Sequence, residues 1–338
     1  MHRWEEEHGT AGAEGAVARV VYASQAAISE SVYAEMEDIR ASALKHNEPV
    51  GVATALLHQS GWFVQWKEGP GDQLLKIMDR VALDPRHRDL RIVHRSRGPR
   101  LLAGPWSMAI VQCRETRLDM ERRVLHLKRQ VDAGLQFTPP AIWRRLSTPM
   151  QHPGAVRQQD PDAFQRVLAC AASGNASFDL VHALGQQHGE EVVHRRFAGE
   201  RDRDVGTDYV DFEHGGRIWR VIAMARNGLH LPLTRAFLPD YSHLVLLLAQ
   251  DPAANVHLVQ RVLGACAGLQ QPPALVGVAR DPGSHAMAAT LARRAGLPYL
   301  TAVADAGDAA ASWEAVQRVV APEAANDAWL PTIPAVLQ

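Results

Sequence analysis

The stretch HNEPVGVATALLHQSGWFVQWKEG, residues 46–69, decides the fold of the first part of this chain. It predicts two buried strands, 52–57 and 62–67, joined by a tight turn and stopped by a Gly-Pro-Gly sequence. Because strand side chains alternate, Gln65 shares a face with the apolar Phe63 and is expected to point inward. A buried amide without partners costs about 1–3 kcal/mol, so something polar should face it. Taken alone, the pattern favours a core glutamine bonded to backbone.

The elements around this hairpin complete a small α+β unit. The patterns predict strands at 19–24, 90–94 and 106–111, a helix to about residue 45 capped by Ser29 or Ser31, and a helix at 73–83. The order β-α-β-β-α-β with a further strand is typical of a ferredoxin-like sandwich, which has two helices on one face of a sheet. Such a fold hosts many functions, so it identifies none.

A set of residues in fixed order makes the identification more specific. The set is Tyr22, Asn47, Gln65, Glu68-Gly69 and Trp106-Ser107-Met108, together with Asp84-Pro85-Arg86-His87. With it, residues 17–112 resemble the BLUF family, the flavin-binding blue-light sensors of bacteria. The resemblance implies FAD (or FMN) held between the two helices and a signal, rather than a chemical product, as output.

The resemblance also implies a role for each candidate residue. Tyr22 gives an electron and then a proton to the photoexcited flavin, and Gln65 bridges the two and rearranges its hydrogen bonds. An amide suits this role because it can exchange donor for acceptor without a change of charge. The other candidates hold the ring edge (Asn47), relay the signal (Trp106 and Met108) or line the pocket (Ser24 and His46). For Trp106 and Met108, two ordinary core residues remain the alternative.

Three features depart from the family pattern. Lys67 stands where leucine is usual, the strand at 52–56 reads VATAL instead of ITGLL, and a proline precedes Trp106. A buried ammonium is costly, so Lys67 should either reach solvent or meet a partner such as Glu68 or a flavin phosphate. These departures leave open the alternative that the chain has lost its flavin.

Composition limits the other possibilities. The 338 residues suit two domains, and 36 Lys+Arg against 37 Asp+Glu give no bulk attraction to nucleic acid or lipid. Three distant cysteines and the absence of a long apolar run predict a cytoplasmic protein without disulfides or membrane spans. The histidines of the first domain lack metal-ligand spacing, so no metal is expected; they are His46, His58, His87 and His94.

A charged helix is predicted to follow the first domain, at residues 115–135. Its apolar residues suggest an inward stripe, made of Leu118, Val124, Leu125, Leu127 and Val131. In BLUF relatives such helices support dimers, so a homodimer is expected; the alternative is a helix packed on its own domain. Residues 138–161 are predicted to be a linker around a short helix at 142–146.

Strands and helices alternate over residues 162–322, which predicts an α/β domain with a mostly parallel sheet. The order resembles a small Ras-like GTPase of the bacterial gliding-protein type, yet the phosphate-binding chemistry is missing. A phosphate loop needs glycines, a lysine and a Ser/Thr for Mg²⁺, whereas this chain has Ala171, Gly174, Ala176, Ser177 and Phe178.

Two further GTPase positions are also altered. Residues 223–228 lack the aspartate that supports the metal, and 278–281 lack the Asn-Lys pair that reads guanine. Thr207 imitates a switch threonine but has no metal to bind. The sequence therefore predicts a pseudo-GTPase that is not an enzyme and binds an unidentified signalling partner.

The complete prediction is α+β followed by α/β. A flexible lead-in (1–16) precedes a BLUF-like photoreceptor (17–112), a helix and linker (113–161), a degenerate P-loop-GTPase-like domain (162–322) and a tail (323–338). Two alternatives remain: a flavin-free, nucleotide-free interaction scaffold, and a nucleotide-binding enzyme that uses an unconventional loop at 173–177.

Overall fold

The computed structural model describes residues 15–28, 31–113, 115–147, 164–198 and 204–320. The strands are β1 Val17–Ala26, β2 Ala53–Gln59, β3 Trp62–Gly69, β4 His87–Gly98, β5 Trp106–Gln112, β6 Phe164–Ala171, β7 Val193–Ala198, β8 Asp204–His214, β9 Arg217–Met224, β10 His243–Leu247, β11 Ala274–Ala279 and β12 Tyr299–Val303. The α-helices are α1 Val32–His46, α2 Gly71–Leu83, α3 Arg117–Asp132, α4 Pro139–Ser147, α5 Ala176–His188, α6 Pro232–Phe237, α7 Pro252–Cys266, α8 Pro282–Arg294 and α9 Ala309–Val320.

The first five strands form the predicted ferredoxin-like unit, with the order β5-β2-β3-β1-β4. The hairpin between β2 and β3 turns at Ser60 and Gly61, whose φ angles are 49° and 72°. Two positive φ angles fit the right-handed twist of paired strands, and glycine supplies one at little cost. The hairpin places Phe63 on one face of the sheet and Trp62 on the other, both fully buried.

Helices α1 and α2 cover the face of the sheet that carries Phe63. The Ser31 hydroxyl accepts a hydrogen bond from the Ala34 amide and so caps α1, as one of the two predicted caps; Ser29 lies outside the described residues. Met36 of α1 and Leu74 of α2 are fully buried in neighbouring clusters on this face. The two helices therefore bury this face of the sheet, each over its own apolar cluster.

Helices α3 and α4 pack on the opposite face. Val124 and Leu127 of α3 are buried there, but Leu118 and Leu125 are 53% and 37% exposed, so they do not belong to the predicted inward stripe. The reason is the helical period: residues 118 and 125 are two turns apart and lie on the outer side. The short helix predicted in the linker is α4, and its Trp143 is part of the core.

The second half begins with β6 and contains two kinds of strand pairing. Strands β9, β6, β10, β11 and β12 run parallel, while β8 pairs antiparallel with β9 and β7 antiparallel with β8. The sequence predicted a mostly parallel sheet here, whereas the structure has one mixed sheet. The difference arises because β8 and β7 both pair antiparallel with their neighbours. Strand β7, Val193–Ala198, was not predicted from the sequence.

Strand β7 joins the two halves, because it also pairs antiparallel with β5. The result is a single twelve-stranded sheet in the order β12-β11-β10-β6-β9-β8-β7-β5-β2-β3-β1-β4. An edge strand offers unpaired amides and carbonyls, and β7 satisfies those of β5. Among the described residues, no helix is long and apolar enough to cross a membrane.

Candidate functional site

Tyr22 and Gln65 lie side by side between α1 and α2. They are Cα partners in the antiparallel pairing of β1 with β3, and both side chains are buried. The Tyr22 hydroxyl and the Gln65 Oε1 atom have no hydrogen-bond partner in the described parts of the chain. Two unpaired polar atoms at neighbouring positions of one core are costly, so the site is suited to a ligand that pairs with them.

The other predicted pocket residues divide into two groups. Ser24 is fully buried, and its Oγ lies 2.7 Å from His87 Nδ1. Asn47 is also buried, at the C-terminal cap of α1. In contrast, His46 faces solvent, with its Nδ1 2.8 Å from the Ser42 carbonyl oxygen. The structure therefore brings Ser24 and Asn47 into the core but leaves His46 outside it.

Trp106 and Met108 are both buried on the face that carries Gln65. Leu56 of β2 is paired with Gln65 on one side and with Met108 on the other. The Trp106 Nε1 atom is buried and has no hydrogen-bond partner among the described residues. Both relay candidates therefore belong to the same apolar cluster, and strand β2 separates their strand from that of Gln65.

His87 and His58 lie beside Phe63 on the same face of the sheet, although no role was predicted for either. The His87 ring centroid lies 6.1 Å from that of Tyr22 and 5.3 Å from that of Phe63, whose ring also contacts His58 at 5.7 Å. Burial lowers the pKa of each histidine to about 4, so both imidazoles are neutral at pH 7. The sequence signal for His87 was its place after Asp84-Pro85-Arg86.

Lys67 neither reaches solvent nor pairs with Glu68, contrary to two of the three options that the sequence left. It is 3% exposed, and its Nζ donates a hydrogen bond to Thr54 Oγ1 at 3.3 Å. Burial lowers its pKa to about 7, and the positive charge of Arg80 contributes in the same direction. An amine that titrates near neutral pH therefore lies on the same face of β3 as Gln65.

Glu68 has a structural role at the end of the same strand. Its Oε2 accepts hydrogen bonds from the Leu101 and Leu102 amides at 2.7 and 2.9 Å, and its Oε1 accepts one from Trp66 Nε1 at 3.1 Å. Burial is nevertheless the larger effect and raises the pKa of Glu68. At Gly69 any Cβ would lie 2.5 Å from Val52 Cγ2, which explains the glycine. This pair fixes the segment that leads into β5.

Comparison with known proteins agrees with this geometry. Residues 17–109 match the family model BLUF, described as sensors of blue-light using FAD. Residues 17–109 are a BLUF domain. The buried, unpaired polar atoms of Tyr22 and Gln65 fit the flavin that this family binds, since a flavin carries both hydrogen-bond donors and acceptors.

Curated relatives match a short part of this chain. The photoactivated adenylate cyclase subunit beta of Euglena gracilis is 37% identical over 60 residues, which are 18% of this chain and 7% of that protein. The subunit alpha-like protein FB of the same organism is 35% identical over 80 residues, 24% of this chain and 8% of that protein. The chain thus matches less than a tenth of the length of these relatives.

Solved structures give low overall similarity. BlsA in its ground state is 23% identical, with a TM-score of 0.27, over 33% of this chain and 72% of that chain. The Klebsiella pneumoniae BlrP1 calcium/cy-diGMP complex is 16% identical, with a TM-score of 0.27, over 84% of this chain and 74% of that chain.

The predicted nucleotide loop of the second half lies between β6 and α5. Its Gly174 has a φ angle of 63° and is exposed, whereas Ser177 is buried at the start of α5. Thr207, the predicted switch threonine, is buried within β8 opposite Met224. Asp281 caps α8 by accepting a hydrogen bond from the Ser284 amide. Ser177 and Thr207 are therefore buried, Asp281 serves as a helix cap, and Gly174 lies in an exposed turn.

Proposed function

We propose that the chain is a blue-light photoreceptor that holds FAD between α1 and α2, against Tyr22 and Gln65. The observation that carries this proposal is the pair of buried polar atoms, Tyr22 OH and Gln65 Oε1, on neighbouring strands and without a partner among the described residues. Asn47 and Ser24 complete the polar wall, and Phe63 and Leu74 supply apolar contacts.

Tyr22 is proposed to be the electron and proton donor. Burial, reinforced by the charge of Asp84, raises the pKa of Tyr22 well above its usual value, so the phenol is neutral in the dark. A neutral buried phenol gives up its proton only as it loses an electron. When bound, the flavin supplies blue-light absorption and an electron acceptor.

Gln65 is proposed to convert this event into a lasting change. Its amide has one acceptor oxygen and two N–H donors, so it can present either a donor or an acceptor to the Tyr22 hydroxyl and to the flavin. This exchange of donor for acceptor changes no net charge, which makes it cheap in a buried site. It changes the polar group that faces Leu56 and, one strand further, Met108.

The signal is proposed to leave through β5. This strand carries Trp106 and Met108 on the flavin face, and its outer edge pairs with β7 of the second half. A small displacement of β5 would therefore shift β7 directly, because the two strands share backbone hydrogen bonds. The second half is then a pseudo-GTPase-like module that presents an interaction surface to a signalling protein.

A homodimer is the proposed assembly. Leu118 and Leu125 are exposed on the outer side of α3, two helical turns apart. Exposed leucines at this spacing are suited to a helix–helix contact with a second copy. The contact would lie on the face of the BLUF sheet opposite the flavin.

The test is the visible absorption spectrum of the purified protein, in the dark and directly after blue illumination. Flavin bands with a small reversible red shift, lost in Tyr22→Phe and Gln65→Ala, are the expected result. A colourless protein that takes up no added flavin would contradict the photoreceptor. The flavin-free scaffold would then be favoured, and the buried Lys67 on the proposed flavin face is the observation that supports it.

A further inference from the structure

Three potential metal ligands meet in the second half of the chain, outside the BLUF domain. They are His182 on α5, His194 on β7 and Asp208 on β8. His182 Nε2 lies 2.9 Å from Asp208 Oδ2, and His194 Nδ1 lies 2.9 Å from Asp208 Oδ1. All three ligand atoms lie within 4.8 Å of one another.

The fold brings these residues together from three separate elements. His194 and Asp208 are Cα partners in the antiparallel pairing of β7 with β8, so both side chains stand on one face of the sheet. Helix α5 covers the adjacent part of that face, where Val210 contributes to the core, and His182 reaches across from it. The two imidazole rings stack, with centroids 5.7 Å apart.

The carboxylate of this cluster is buried, whereas its two imidazoles are exposed to solvent. The Asp208 side chain is only 12% exposed, whereas those of His182 and His194 are 47% and 56% exposed. The carboxylate is thus held in place by its surroundings, and the imidazoles line an open approach from solvent. An ion can reach all three ligand atoms without any opening of the core.

We propose that His182, His194 and Asp208 form a binding site for a divalent transition-metal ion of the Zn²⁺ class. Imidazole nitrogen and carboxylate oxygen are ligands that such ions prefer. Bonds of about 2.0–2.1 Å in tetrahedral geometry place neighbouring ligand atoms about 3.3 Å apart. The two exposed imidazole side chains can move enough to bring the three ligand atoms to these separations. Three protein ligands leave the fourth position of a tetrahedral ion for water.

The site has a mechanical consequence for the junction of the two halves. His194 is also the Cα partner of Gln112 in the pairing of β7 with β5. A bound ion would tie α5 to β7 and β8 at the point where β7 meets the BLUF sheet. Metal binding is therefore expected to stabilise the strand that joins the two halves.

The experiment uses the full-length protein, stripped of metal with a chelator, and Zn²⁺ as the probe in a calorimetric titration. We expect one equivalent to bind and to raise the Tm, and we expect Co²⁺ at the same site to show visible absorption bands of a low-coordinate complex. His182→Ala and His194→Ala should each weaken binding by about tenfold or more. His257→Ala, which removes another exposed helical histidine, is the matched control and should bind as the unsubstituted chain does.

Three results would overturn the site. They are no saturable Zn²⁺ binding, equal binding by the His182→Ala and His257→Ala variants, or a cobalt complex with the spectrum of the hydrated ion. The last would show that the carboxylate only accepts hydrogen bonds from two imidazoles. His182 lies on the surface of α5, so its substitution tests the site without disturbing the sheet. The site needs neither flavin nor light, so the experiment is independent of the photoreceptor proposal.

Discussion

Met108 of the BLUF domain and Ala198 of the second half are Cα partners in the pairing of β5 with β7. The same rung of the sheet continues from Met108 through Leu56 to Gln65 and Tyr22. One row of residues across five strands therefore connects the proposed photoactive pair with the second half. Backbone strand pairing therefore runs without a gap from Gln65 through β2 and β5 to β7.

Light is expected to alter amide hydrogen exchange in β5 and β7. Exchange rates report how often a backbone hydrogen bond opens, and the two strands share one ladder. Mass spectrometry of the dark and illuminated protein should show a coupled difference in peptides from 106–112 and 193–198. Gln65→Ala should abolish the difference while leaving the dark pattern of β12 unchanged. A light effect confined to β5 would show that β7 does not receive the signal.

Lys67→Leu should stabilise the protein most at low pH. The folded pKa of Lys67 is about 7 against an ordinary value of 10.5, so the folded state binds fewer protons between these values. Stability therefore rises with pH across this window, and below pH 7 the protein carries the full cost of a buried ammonium. We expect Lys67→Leu to raise the Tm at pH 6 by at least about 2 °C and to flatten the rise between pH 7 and pH 10.

The matched control for Lys67 is Lys76→Leu, which removes an exposed lysine from α2. Its Tm should stay within about 1 °C of that of the unsubstituted chain at both pH values. If Lys67→Leu and Lys76→Leu gave the same pH profile, folding would not lower the pKa of Lys67 and the prediction would be wrong.

Charges on the outer side of α3 should dissociate the proposed dimer. The double variant Leu118→Glu/Leu125→Glu places four carboxylates in a two-fold contact, where like charges repel. Light scattering after size-exclusion chromatography should give the mass of one chain instead of two. Leu83→Glu is the control, because this leucine is 85% exposed at the end of α2. A dimer that survives the double variant would place the interface elsewhere.

Mg²⁺-GTP should leave the thermal stability unchanged. A ligand at 100 times its Kd stabilises a protein by about 2.7 kcal/mol, so a working site would raise the Tm. The loop at Gly174 lacks the lysine that holds the β- and γ-phosphates. Differential scanning fluorimetry with millimolar nucleotide is the measurement, with FAD as the positive control. A shift with GTP but none with FAD would favour the nucleotide-binding alternative.

The sequence by itself predicted the secondary-structure elements and the side chains that they bury. The alternation in 62–67 predicted that Gln65 and Phe63 share a buried face, and the structure confirms both. Side-chain periodicity also predicted α1, α2 and the parallel strands of the second half, because each of these elements buries one face or a continuous apolar run. The BLUF residues are close in sequence to the elements that place them, so their order alone identified the family.

Only the tertiary structure decided how the two halves meet. Strand β7 reads VHRRFA, which carries no alternation, and its place beside β5 depends on backbone groups that every sequence possesses. The same holds for His182, His194 and Asp208, which no motif spacing connects and which converge only because α5 lies over the β7–β8 pair. Short-range patterns determine elements, whereas long-range pairing of backbone and packing of faces determines which distant residues become neighbours.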